Sequence, residues 1–69
     1  KLRPKEAELL NYFIANPKRF ISQDELVQNI WDFDALPSDA TIRSYIRKLR
    51  EVIGGEKIIT QRGMGYRYE

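Results

Sequence analysis

The stretch from about Asp39 to Ile53 constrains this 69-residue chain more than any other. Ile42, Ile46, Leu49 and Ile53 recur at i, i+4, i+7 and i+11, which puts all four on one face of an α-helix. At about 100° per residue, Arg43, Ser44, Arg47 and Lys48 fall on the other side, with Glu51 near its end and Tyr45 and Arg50 on the flanks. Ser38 is the expected N-cap. Gly54-Gly55 ends the helix, with one glycine expected to supply a left-handed C-terminal residue. Such a helix must pack its aliphatic face on a core. Its outer face then carries three cations around one small side chain.

The core has to come from packing alone. The chain is long enough for one domain, residues 1–69, and it contains no Cys for a disulfide. It has no His either, which excludes a finger-type zinc site, and no metal or cofactor is expected. A helix is expected from about Pro4 to Ala15. Pro4 suits the first position, Glu6 and Glu8 lie near the positive end of the dipole, and Leu9, Leu10, Phe13 and Ile14 form the apolar stripe. Asn16-Pro17 stops it. A second helix starts after Ser22, where Ser22 and Glu25 have capping-box spacing and Ile21 and Leu26 that of a hydrophobic staple. Its expected buried face is Leu26, Val27, Ile30 and Trp31. Residues Asp32, Phe33, Asp34, Ala35, Leu36 and Pro37 form a loop whose apolar members are expected to fold back on the core. After the third helix, Lys57–Thr60 is β-rich, Gln61–Gly65 reads as a turn needing positive φ somewhere, and Tyr66–Tyr68 alternates as a second strand. The expected fold is mainly α with a C-terminal β-hairpin over 58–68: a winged helix-turn-helix of three helices plus wing.

Charge is distributed unevenly along this order. Residues 1–39 carry five Lys/Arg against seven Asp/Glu, a net of −2, and residues 40–69 carry seven against three, a net of +4. A basic second half points to an anionic partner surface. Nothing supports catalysis. The best nucleophile and the commonest general base are missing, the carboxylates are scattered, and Gly63-Met64-Gly65 lacks the lysine and helix of a phosphate loop. An α-helix does fit the major groove of B-DNA, where Arg43, Arg47 and Lys48 can reach guanine edges and Ser44 permits close approach. Arg62, beside flexible glycines at the hairpin tip, suits a narrow minor groove. On its own it would read as a solvated turn arginine. Following a basic helix, it favours the groove.

Four stretches carry a family resemblance: Leu2-Arg3-Pro4-Lys5-Glu6-Ala7-Glu8-Leu9-Leu10, then Ile30-Trp31, then Ser38 through Arg50, and finally Thr60-Gln61-Arg62-Gly63-Met64-Gly65-Tyr66-Arg67. The pairing of T-I-x-x-x-I-x-x-L-R with a later R-G-x-G-Y-R is the specific part. With these motifs the chain resembles the OmpR/PhoB-type effector domain of bacterial two-component response regulators. The resemblance implies transcription regulation by double-stranded DNA binding, in the cytoplasm. It assigns Arg43, Ser44, Arg47 and Lys48 to bases, Thr41, Tyr45 and Arg50 to phosphates, and Arg62 to the minor groove. It assigns the loop Asp32–Pro37 to RNA polymerase. It also implies a four-stranded sheet before Lys1, so that either the chain is truncated or the protein has lost that sheet, and a receiver domain in a longer protein that dimerises on direct repeats, of which this chain is expected to be a fragment. No membrane association is expected. Two positions depart from the pattern: Arg3 stands where the family usually has a Thr N-cap, and Tyr45 replaces a common His. The alternative is a winged-helix module that binds a protein, for example RNA polymerase.

Overall fold

A computed structural model describes residues 3–69. Lys1 and Leu2, which open the first motif, lie outside the described residues. In chain order the elements are α1 (Pro4–Ala15), β1 (Phe20–Ile21), α2 (Gln23–Ile30), a 3₁₀ turn (Phe33–Ala35), α3 (Asp39–Ile53), β2 (Ile58–Gln61) and β3 (Gly65–Tyr68). The three helices and the hairpin therefore form where their local signals place them.

Each helix start uses a different local device. At α1 the Glu6 carboxylate accepts the Arg3 backbone N–H at 2.9 Å. The Arg3 guanidinium has no acceptor to return the bond, so only half of a capping box can form. At α2 the Ser22 hydroxyl accepts the Glu25 N–H at 3.0 Å. The reciprocal half expected from the S-x-x-E spacing is replaced by tertiary bonds. The Glu25 carboxylate instead accepts the Tyr12 hydroxyl at 2.5 Å and both terminal nitrogens of Arg19 at 3.1 and 2.7 Å. At α3 the Ser38 hydroxyl accepts the Thr41 N–H at 3.2 Å. The helix ends at Gly54, whose φ of 108° is positive as expected. Its ψ of 137°, however, takes it out of the left-handed helical well into an extended conformation that suits glycine.

The core draws on every helix and every strand. Leu9 and Phe13 of α1, Ile21 of β1, Leu26 and Ile30 of α2, Ile42, Ile46 and Leu49 of α3, Ile58 of β2 and Tyr66 of β3 form one buried cluster. Leu10, Val27, Trp31 and Ile53 pack only partly against it, and Ile14 is 49% exposed. The stripe on α1 is thus narrower than its four apolar residues suggest. The expectation that the Asp32–Pro37 loop folds its apolar residues inward is also corrected. Phe33 is 91% exposed and Leu36 is 56% exposed, because the 3₁₀ turn closed by Ala35 N–H on the Asp32 carbonyl at 3.0 Å turns them to solvent.

The hairpin belongs to a three-stranded antiparallel sheet of order β1-β3-β2. Phe20 pairs with Arg67 and Ile21 with Tyr66 on one side of β3. On the other side Ile58 pairs with Tyr68 and Gln61 with Gly65. The turn between α1 and β1 is tied down as well, with Lys18 at φ 60° donating its N–H to the Tyr68 carbonyl at 2.8 Å. Close approach of β1 and β3 requires a glycine. A Cβ on Gly65, at φ 112°, would lie 2.1 Å from the Ile21 carbonyl oxygen and 2.8 Å from Ser22 Cα.

Gly65→Ala is expected to cost more than about 2 kcal/mol in denaturant unfolding. Gly55→Ala is the control. Gly55 has open space around it, and that change should stay within about 0.5 kcal/mol. Hydrogen bonds from Arg19, then Tyr12, hold the Glu25 carboxyl at about 2, down from 4.5. A depressed folded-state value means that this group's stabilisation is present above pH 4.5 and is lost as pH falls toward 2. Glu25→Gln should flatten the decline in thermal stability across that window, as read by circular dichroism.

Candidate nucleic-acid interface

Burial of Ile42, Ile46 and Leu49 leaves one rotation of α3 available, and that rotation turns Arg43, Ser44, Arg47 and Lys48 to solvent. All four share one exposed face. Ser44 lies between the cations and contributes to shallow recesses lined by Ala40, Arg43 and Arg47 on one side and by Arg3, Glu6, Arg47, Lys48 and Glu51 on the other. Ion pairs form elsewhere: Lys5 with Glu8 at 3.7 Å, Arg19 with Glu25, and Arg67 with Glu69. Arg43, Arg47, Lys48 and Arg62 have no hydrogen-bonded or ion-paired partner among the described residues. Cations without a partner at the surface are free to neutralise an external anion without first breaking a contact.

The flanking residues are held differently. Thr41 is exposed in the first turn of α3, its hydroxyl 3.0 Å from that of Ser38. Tyr45 is half-buried, its ring edge-on to Trp31 at 5.4 Å between centroids. It lines the side of the face together with Thr41, Ser44, Arg3 and Glu6. Trp31, read from the sequence as core, is a partly buried support for that tyrosine. Lys5 braces the same corner, donating to the Ile30 carbonyl at 2.8 Å with its ammonium 5.7 Å from the Trp31 ring. Arg50 turns away from the outer face. Its Nε and one terminal nitrogen donate to the Ile58 carbonyl at 3.1 and 2.8 Å, and that same terminal nitrogen donates to the Thr60 hydroxyl at 2.6 Å.

Arg62 is exposed at the tip of the hairpin, where Met64 N–H closes the turn on the Gln61 carbonyl at 3.0 Å. Gly63 at φ 83° and Gly65 supply the positive angles expected there. Gln23, which carried no sequence signal, joins Asp39 at this end of the molecule. Gln23, at the start of α2, donates to the Asp39 carboxylate at the start of α3 at 2.5 Å. Gln23 also lines a shallow recess with Ser22 and the wing residues Thr60 to Tyr66. No chemistry of spacing could have paired Gln23 with Asp39, because the bond depends on how α2 and α3 cross. In the loop Asp32–Pro37, Phe33 and Leu36 edge a recess with Asp24, Val27, Gln28 and Trp31, none of which is a cation of the α3 face. Among the described residues no group of acidic side chains could hold a metal ion.

A helix with outward cations that have no partner among the described residues, a second helix tied to its start by Gln23 and a two-stranded wing together suit a DNA surface. Residues 1–68 match the family model described as "Transcriptional regulatory protein, C terminal", the OmpR/PhoB-type domain. The chain belongs to this family. It is therefore a winged-helix DNA-binding domain of transcription regulation, and the family is not one of enzymes. It is 42% identical over 67 residues to the transcriptional regulatory protein CrdR of Helicobacter pylori, covering 97% of this chain and 30% of that one. It is 32% identical over 72 residues to the phosphate regulon transcriptional regulatory protein PhoB of Escherichia coli, covering 99% of this chain and 31% of that one. The chain thus spans about a third of these relatives' length. In fold it is similar to the crystal structure of the DNA-binding domain of Bacillus subtilis CssR, with a TM-score of 0.85 and 30% identity over all of this chain and 78% of the other. No helix among the described residues is long and apolar enough to cross a membrane.

Proposed function

We propose that this domain reads a specific double-stranded sequence by laying α3 in the major groove and the β2–β3 wing over the adjacent minor groove. The observation that carries the reading is the exposed row Arg43, Ser44, Arg47 and Lys48, whose three cations have no partner among the described residues. Arg43, Arg47 and Lys48 reach base edges, with guanine O6 and N7 the natural acceptors, and Ser44 lets the helix sit deep. Thr41 and Tyr45 hold phosphates at the flank, where the Trp31 ring fixes the direction of the tyrosine. Arg50 is also within the zone expected to meet phosphates, although its guanidinium is already engaged with β2. Arg62 enters the minor groove. The parent protein works in the cytoplasm and dimerises on direct repeats, a reading that rests on the family.

Binding measured on a site selected from random DNA should weaken steeply as salt rises, because each phosphate neutralised releases counterions. Arg47→Ala should cost about 1–3 kcal/mol on that site and relax the preference at one base step. Arg62→Ala should lose the preference for A·T-rich flanks. A salt-independent affinity, or equal losses on selected and random DNA, would defeat the reading.

A second surface has its own support. Phe33 stands almost fully exposed between Asp32 and Asp34. An exposed aromatic with an acidic rim suits a protein partner, and RNA polymerase is the partner the family suggests. Phe33→Ala should leave DNA affinity unchanged while lowering polymerase recruitment at the selected site in a transcription assay. Loss of DNA binding instead would place the loop in the DNA interface.

A further inference from the structure

The two DNA-reading parts share the core through Ile58 and Tyr66 at the base of the wing, and a short link joins them along the chain. Between α3 and β2 lie Gly54 and Gly55, and a single turn bond from Lys57 N–H to the Gly54 carbonyl at 3.2 Å spans them. That link alone does not fix where the wing stands relative to the helix. β2 is moreover an edge strand. The Lys57 carbonyl accepts Glu69 N–H across the sheet at 2.8 Å, so by the alternation of an antiparallel strand the next carbonyl, that of Ile58, turns outward. Arg50 fills that outward edge. Its Nε and one terminal nitrogen converge on the Ile58 carbonyl, and the same terminal nitrogen spans to the Thr60 hydroxyl two residues further along β2. The guanidinium makes three bonds from one rigid plane, two of them converging on a single carbonyl, and a lysine ammonium on its flexible stem does not reproduce that paired approach. Thr60 is two residues before Arg62, and Arg50 is one turn beyond Arg47.

We infer that Arg50 is a positioning residue that locks the wing to the recognition helix, and that its contribution to binding runs through the placement of Arg62 more than through a phosphate. Arg50 sets the spacing between the two grooves that the domain reads. Without it Ile58 and Tyr66 still seat the base of the wing, but the part of β2 that leads to Arg62 loses its tie to the helix. The DNA consequence rests on the two-groove reading above. The contact itself does not.

The test has two arms on the 69-residue chain, using Arg50→Lys, Arg50→Met and Thr60→Val. In the first, without DNA, residual dipolar couplings and ¹⁵N order parameters are measured for the amides of Gln61 to Gly65. All three variants should reorient the wing and lower its order parameters from about 0.85 toward 0.6. Unchanged couplings would overturn the proposal. In the second arm, affinity is measured against salt on the selected site with A·T-rich and G·C-rich flanks. Arg50→Lys should keep the wild-type salt slope yet lose flank preference as completely as Arg62→Ala does. A phosphate role would instead flatten the slope by about 0.9 in Arg50→Met, with full rescue by Arg50→Lys, and that result would also overturn the proposal. Should wild type bind DNA without salt or flank dependence, the two-groove reading fails, and the DNA-free arm still decides the lock. Where Arg50→Met does not fold, the lysine and valine variants carry both arms.

Discussion

Removing Ile42, Ile46 and Leu49 from water fixes the rotation of α3 about its own axis, and almost everything the domain does depends on that angle. A helix is free to roll on a surface until its apolar stripe finds a matching cavity. Here that cavity is walled by Leu9 and Phe13 from α1, Leu26 and Ile30 from α2, and Ile58 and Tyr66 from the sheet. Once the stripe is seated, the cations have only solvent to face. Their outward direction therefore needs no dedicated interaction on the outer side, which leaves these outward positions free to vary without unfolding the protein.

Supporting contacts concentrate at the two ends of α3. At its start Ser38 caps the helix, and Gln23 ties Asp39 to α2. At its end Arg50 reaches to β2. Along its flank, Tyr45 leans on Trp31, which Lys5 braces from α1. The middle of the outer face carries no such bonds among the described residues. This division leaves the middle of the outer face without a part in holding the helix, while the flank and the two ends carry that work.

The elements set by near neighbours were legible in the sequence. Ser38, the i, i+4 isoleucines and Gly54 marked the bounds of α3 because capping, periodicity and termination all act within a few residues. The outward cations followed from the same period. β1 was not legible. Phe20 and Ile21 are two residues with no alternation to display, and they form a strand only because β3, more than forty residues later, supplies the partner. Glu25 shows a local signal overridden by tertiary structure, since its carboxylate left the expected capping box for Arg19 and Tyr12. Phe33 was expected inside on hydrophobicity alone, yet a 3₁₀ turn of three residues was enough to point it out. Of the candidate site, the helix face could be read directly. The engagement of Arg50 could not, because it depends on where an edge carbonyl of β2 comes to rest.

The strand order β1-β3-β2 places the latest of these three strands in sequence at the centre. Its two neighbours are separated from each other by α2 and α3 and share no bonds, so neither can pair until residues 65–68 have left the ribosome. Helices can form as they emerge, but the sheet that closes the core and anchors the turn at Lys18 must wait for this final segment. The placement of the wing beside α3 therefore depends on a strand that must reach back to both Phe20 and Ile58 before either side of the sheet exists.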